Sequence, residues 1–302
     1  MIYFFFFPYR PQYFFPENFN KYPFSLSLFQ PYSLKGRILW IVWRNLFFFR
    51  KLFVVNNIEN FVPEKLIKSF LNEKTVFAFN IGSPGIERKI TALAFDNEGT
   101  FFLKFSQKKN VRKMILNEAY ILNQLIGLDF VPKVIDLIRR KDFILLITTI
   151  LVGNRLNDNK LNYDIVGVLL KINSLNIAPK IKISSSTKKV FSHGDFCPWN
   201  LMECNGSIRV FDWEMAGEYP LGYDLFTFIY QPAILINSYT NFGLITAQNF
   251  DFISNYFDYF DVKDWKPYLV TFALTKYKIE FDKNNSRLYE EYLKLIDFAK
   301  KA

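Results

Sequence analysis

From residue 76 onward the apolar positions come in short β-rich runs, 76–81, 89–95 and 100–105, separated by Gly82-Ser83-Pro84-Gly85 and Asp96-Asn97-Glu98-Gly99. Runs of this length between such turns predict a three-stranded antiparallel meander. The period then changes: Met114, Ile115, Leu116, Ala119, Tyr120, Leu122 and Leu125 fall at helical spacing across 111–126. Two further apolar runs occupy 131–138 and 143–151. Past Gly153 the pattern is helical except for short strands at 190–192 and 208–211. Three strands, a helix, two strands and a helical remainder predict an α+β fold, with a body divided into 56–151 and 152–302.

Residues 1–55 are patterned differently and read as an aromatic, basic N-terminal extension. They hold 13 of the 36 phenylalanines, and Pro8, Pro11, Pro16, Pro23 and Pro31 break any long helix before residue 32. Across 34–55, Arg37, Arg44 and Lys51 share one face of a predicted amphipathic helix. Arg44 interrupts its apolar run well short of the ~20 residues needed to span a bilayer. Such a helix either lies on a membrane surface or straps its aromatic side over the folded body, and its overall apolarity favours the strap. Residues 225–250 carry no charge, but Gln231, Pro232, Asn237 and Asn241 within them predict a buried helix and a loop, not a span.

The net charge of +10 raises nucleic acid or an anionic membrane as a partner. Its distribution is uneven: +6 in 1–55, +8 in 56–211 and −4 in 212–302. A polarised chain argues against specific nucleic-acid binding. Two cysteines, Cys197 and Cys204, are too few for a disulfide framework and suit a reducing compartment. The N-terminus lacks the pattern of a secretory leader, so the expected location is cytoplasmic, with peripheral membrane contact through 34–55 as the variant. The single histidine, His193, rules out any multi-histidine metal site and would have to serve any Ser-His-Asp triad.

That histidine opens H-x-D-x-x-x-x-N, with Asp195 and Asn200, and Asp212 follows the 208–211 strand. The spacing equals that of a kinase catalytic loop. Phosphoryl transfer needs a carboxylate beside the attacking hydroxyl and hard oxygen ligands for Mg2+, and these residue types supply both. An ordinary strand-turn-strand with scattered polar residues is the competing reading; the spacing combined with flanking apolar strands disfavours it.

HGDFCPWN at 193–200 and VFDWEMAGEYPLGYDLF at 210–226 together resemble the catalytic loop, metal-binding segment and following helix of the aminoglycoside phosphotransferase and choline kinase family. A weaker match extends back to about residue 76. The resemblance implies a protein-kinase-like bilobal fold, with a small antiparallel-sheet N-lobe and a mostly helical C-lobe. It also implies ATP- and Mg2+-dependent phosphorylation of a small-molecule hydroxyl. Carried over by position, Asp195 matches the base and Asn200 and Asp212 the metal ligands. His193 is then structural, and Asp224 braces the loop, although on its own it reads equally as a helix N-cap. Glu214 is a weaker site candidate.

The first lobe should contribute a strand lysine for ATP phosphates and a helix glutamate to position it. Lys104 on the third predicted strand and Glu118 on the next helix stand in that order. Gly82, Ser83 and Gly85 read either as a phosphate-covering loop or as a plain turn, since Pro84 has no N–H to offer. Thr149, Ile150 and Leu151 fall where a hinge would meet adenine. Cys197 is expected to be a small packing residue; exposed, it would be open to modification. The resemblance implies an amino alcohol, a sugar or an aminoglycoside-like molecule as acceptor. Asp251, Asp258, Asp261 and Asp264 either suit a cationic one or form a solvated helix face. The alternative function is a catalytically silent kinase-like binding module.

Overall fold

The computed structural model describes residues 2–6, 12–29, 31, 34–45, 52–82, 85–156, 160–236 and 240–301. The chain forms two compact units, Met1–Ile126 with Pro132–Leu151, and Gly127–Val131 with Val152–Ala302.

The first unit is built on strands β1 (Tyr3–Phe5), β2 (Tyr13–Pro16), β3 (Val54–Val55), β4 (Val76–Asn80), β5 (Ile90–Asp96), β6 (Gly99–Ser106), β7 (Val134–Arg139) and β8 (Ile144–Thr149), with helices α1 (Leu34–Asn45), α2 (Glu64–Lys68) and α3 (Lys109–Gln124). The strands form one antiparallel sheet in the order β3-β1-β2-β4-β5-β6-β8-β7. The expected meander is β4 to β6, and the expected helix is α3.

Residues 1–55 were set apart as an extension, but they supply β1, β2 and β3 to this same sheet. The reason lies in side-chain alternation, which sends successive strand residues to opposite faces. Tyr3, Phe14, Phe77, Phe79, Leu103 and Phe105 face a core closed by Ile58, Val62 and Ile67. Phe4, Phe6, Phe15, Ala78, Leu93 and Phe95 face the other side, covered by Phe19, Phe29 and Trp43. Burying one such aromatic stabilises the fold by about 1.5–3 kcal/mol, so these described aromatics are core material. Tyr3 also donates from its hydroxyl to Glu64 Oε1 at 2.8 Å, which pins β1 to α2. Burial, then the Glu64 carboxylate, hold that hydroxyl well above its ordinary pKa.

The predicted 34–55 helix ends at Asn45; residues 46–51 lie outside the described residues, and Val54–Val55 are strand. Trp40 and Trp43 of α1 stack on each other at 5.2 Å and pack into the second face, as a strap would. Ile38 and Ile41 on the same helix stay exposed. No helix among the described residues is long and apolar enough to cross a membrane.

The second unit comprises β9 (Asn154–Arg155), α4 (Tyr163–Asn173), β10 (Lys189–Ser192), β11 (Leu201–Cys204), β12 (Ser207–Val210), β13 (Gly217–Pro220), α5 (Tyr223–Ile236), α6 (Phe242–Gln248), α7 (Phe250–Tyr259), α8 (Lys266–Asp282) and α9 (Ser286–Lys301). β10 pairs with β13, and a second small sheet runs β12-β11-β9. The uncharged 225–250 stretch supplies most of α5 and all of α6, with 237–239 outside the described residues, and Leu225, Phe226, Phe228, Ile229 and Tyr230 are buried in the unit's core. α4 is started by Asn162, whose side chain accepts from Ile165 N at 2.9 Å.

Candidate active site

β10 delivers the chain into the 193–200 loop, which is held from below by a single carboxylate. Asp224, at the start of α5 and 1% exposed, accepts from the backbone N–H of His193 at 2.6 Å and of Gly194 at 2.9 Å. Burial pushes the Asp224 carboxyl above the usual range, while the His193 ring and these two N–H groups pull it back. Gly194 has φ of +85°, and a Cβ there would sit 2.2 Å from Met215 O, so only glycine fits. The sequence reading of Asp224 as a brace matches this geometry; the N-cap alternative does not describe what the carboxylate bonds.

His193 is fully buried, and both ring nitrogens are engaged. Nε2 lies 3.0 Å from Phe211 O, an acceptor only, so Nε2 carries the proton; Nδ1 accepts from Asp195 N at 3.2 Å. The ring ties the 193–195 turn to the end of β12. Asn173 adds a further tie: its Nδ2 donates to Phe191 O at 2.8 Å, and its Oδ1 accepts from Tyr256 at 2.6 Å.

The Asp195 carboxylate is gripped on both oxygens. Asn200 Nδ2 donates to Oδ2 at 3.0 Å and also to the Asp195 carbonyl at 2.9 Å. Gln231 Nε2, from α5, donates to Oδ1 at 3.1 Å, and the Cys197 thiol approaches the same oxygen at 3.5 Å. Gln231 Oε1 in turn accepts from Lys276 Nζ of α8 at 2.6 Å. Cys197 is fully buried, and burial, followed by the Asp195 charge, pushes its thiol far above the ordinary value. It is a packing residue, not an exposed nucleophile.

Phe211 N donates to Asn200 O at 3.1 Å, which joins the residue before Asp212 to the loop. Asp212 itself takes φ of +68°, a turn conformation that Asp tolerates better than most side chains. Because Asn200 spends its amide nitrogen on Asp195, its Oδ1 is the atom left for a cation. That oxygen and the Asp212 carboxylate are hard donors, the kind Mg2+ takes. Glu214 is buried in the 3-10 turn Trp213–Met215.

In the first unit, Lys104 of β6 and Glu118 of α3 form a buried ion pair at 2.5 Å. Lys104 lies on the sheet face that α3 covers through Val111, Ile115 and Ala119 against Ile144 and Leu146. Ser83 and Pro84 lie outside the described residues. Gly82 has its N–H bonded to Asn80 Oδ1 at 2.8 Å, and Gly85 O accepts from Lys108 Nζ at 2.8 Å. Thr149 completes its strand pairing by donating to Lys133 O at 2.9 Å, and Ile150 packs against the aromatic second face.

Residues 175–244, which contain the whole 193–231 cluster, match the model of a phosphotransferase enzyme family. The segment is similar to that family's model. Two solved structures share the fold. One is the amicoumacin kinase hAmiN, solved with AMP-PNP, Ca2+ and Ami: 14% identity, TM-score 0.52, covering 81% of this chain and 96% of that one. The other is a Ralstonia eutropha protein assigned as an aminoglycoside phosphotransferase: 14% identity, TM-score 0.55, covering 79% and 98%. No curated protein matches the chain in sequence. At these identities the likeness is one of fold, and it bears out the kinase-like α+β class. With the family match over 175–244, it supports the phosphotransferase resemblance.

Sequence reasoning missed three members of the Asp195 surroundings. Asn173 drew no notice, Gln231 was read only as a polar residue against a membrane span, and Lys276 lay in an unremarked helix.

Proposed function

We propose that the protein transfers the terminal phosphoryl group of ATP, with Mg2+, to a hydroxyl of an amino alcohol, a sugar or an aminoglycoside-like molecule. The observation that carries this is the Asp195 carboxylate, oriented by Asn200 and Gln231 on a loop anchored by Asp224 and His193. Asp195 aligns the acceptor hydroxyl and takes its proton as the new O–P bond forms and the bond to the ADP oxygen breaks. Asn200 Oδ1 and Asp212 would hold Mg2+, which supplies charge neutralisation for the phosphates when bound.

Lys104, kept in place by Glu118, is assigned to the phosphates, and the backbone of Ile150 and Leu151, past the last pairing of Thr149, to the base. The hAmiN neighbour was solved with AMP-PNP, which supports ATP as donor. The bonded Gly82 N–H favours leaving the 82–85 turn out of phosphate binding. A phosphorylation screen with Mg2+-ATP across aminoglycosides, choline, other amino alcohols and sugars tests the reading. At least one acceptor should be phosphorylated by the wild type and none by Asp195→Ala; equal activity in that variant rejects the assignment.

A further inference from the structure

We infer that Lys276 and Gln231 form a two-residue relay that fixes the orientation of the Asp195 carboxylate; the inference rests on the role given to Asp195 above. Lys276 is 7% exposed, and its Nζ lies 5.1 Å over the Tyr223 ring. Among the described residues it enters no ion pair; the acceptor it uses is the neutral Gln231 amide oxygen. A cation buried without a carboxylate partner is expensive, and an apolar residue of similar volume would serve stability better. The lysine therefore has a task beyond packing.

The task follows from donor and acceptor counts. A lysine only donates, so Gln231 must turn its amide oxygen toward Lys276 and its NH2 toward Asp195 Oδ1. The acceptor-only carboxylate already calls for the NH2 end, but a glutamine's terminal torsion is broad and leaves the amide plane free to swing. Lys276, holding the amide oxygen, fixes that plane. With Oδ1 taken by Gln231 and the Cys197 thiol, and Oδ2 by Asn200 alone, a lone pair on Oδ2 is left for the acceptor hydroxyl. Buried and bonded to Gln231, Lys276 is a positioning residue acting through it.

The test uses Mg2+-ATP hydrolysis, with water as acceptor, in the full chain. Lys276→Met should lower kcat about 10- to 100-fold, the scale of a misplaced catalytic group, with KM for ATP within about twofold, since the change is confined to the acceptor side. Lys276→Arg should restore most of the rate. Lys276→Met combined with Gln231→Leu should be no slower than Gln231→Leu alone, because residues acting in series are not additive. Gln231→Glu keeps the lysine contact while removing the donor to Asp195, and should show the same kcat loss if Lys276→Met does not fold. Wild-type kcat in Lys276→Met or Gln231→Glu, or a double variant as slow as the product of the two singles, overturns the relay. A crystal structure of either single variant supplies a readout apart from activity. The Asp195 carboxylate should have rotated off Asn200 Nδ2, and an unchanged 3.0 Å contact contradicts the relay. If the wild type hydrolyses no ATP above the Asp195→Ala background, the crystal structure decides the positioning, and the acceptor screen decides the phosphotransferase reading.

Discussion

Lys104 and Asp195 are held in opposite ways. Lys104 stands on a regular strand in an eight-stranded sheet and is paired with Glu118. Asp195 stands on an irregular loop and is oriented by groups from the loop itself, from α5 and, through Gln231, from α8. A strand's pleat aims a side chain by itself, and a buried countercharge helps to hold it there. A loop has no such regularity, and its aim must be assembled from hydrogen bonds reaching in from distant elements.

The contrast can be broken experimentally. Lys104→Met should destabilise the protein by about 3–5 kcal/mol in urea denaturation, because Glu118 is left buried and unpaired. Adding Glu118→Leu should recover most of that, since a pair of apolar side chains replaces a pair of charges. Failure of the double variant to recover would mean that Lys104 depends on more than one partner. Trp43→Ala should cost a similar 3–5 kcal/mol, the range for emptying an aromatic core site. An unchanged denaturation midpoint would restore the view of 1–55 as a detachable extension.

Asp224→Asn is expected to cost less, about 1–3 kcal/mol, because the amide keeps one acceptor oxygen for two N–H groups. No single compensating change should repair it, in contrast to Lys104. The smallest effect belongs to the half-buried Lys189–Glu218 pair at 2.7 Å, bridging β10 and β13. The hydrogen bond from Lys189 lowers the Glu218 pKa from 4.5. Its stabilisation is therefore full above that value and disappears as pH falls through the folded-state pKa. Lys189→Ala should cost up to about 1 kcal/mol at pH 7, and the difference from wild type should vanish in acid.

The same contrast explains what could be read from residues alone. β4 to β6 and α3 announce themselves by period, and Lys104 and Glu118 follow from the order of those elements. The 193–224 residues were legible because their spacing is local and chemically restrictive. β1 to β3 were not, since alternation over three residues cannot be distinguished from an apolar run until partner strands assign the faces. The β11–β12 hairpin had a signal that went unused: Asn205-Gly206, both at positive φ, is a strong two-residue turn pair. Gln231 and Lys276 left no local trace, because their contacts cross 36 and 45 residues of chain. Composition was instructive in the opposite sense. Phe4, Phe5, Phe6, Phe14 and Phe15, part of what suggested a separate extension, lie in the two cores on either face of the first unit's sheet.

Calorimetric titration with a non-hydrolysable ATP analogue, with and without Mg2+, bears most directly on the claim that these residues serve Mg2+-dependent phosphoryl transfer. The wild type and Asp195→Ala should bind alike, and withdrawing Mg2+ or introducing Asp212→Asn should weaken binding about tenfold or more, the equivalent of about 1.4 kcal/mol. No binding by the wild type at millimolar analogue, or binding indifferent to both Mg2+ and Asp212, would contradict it.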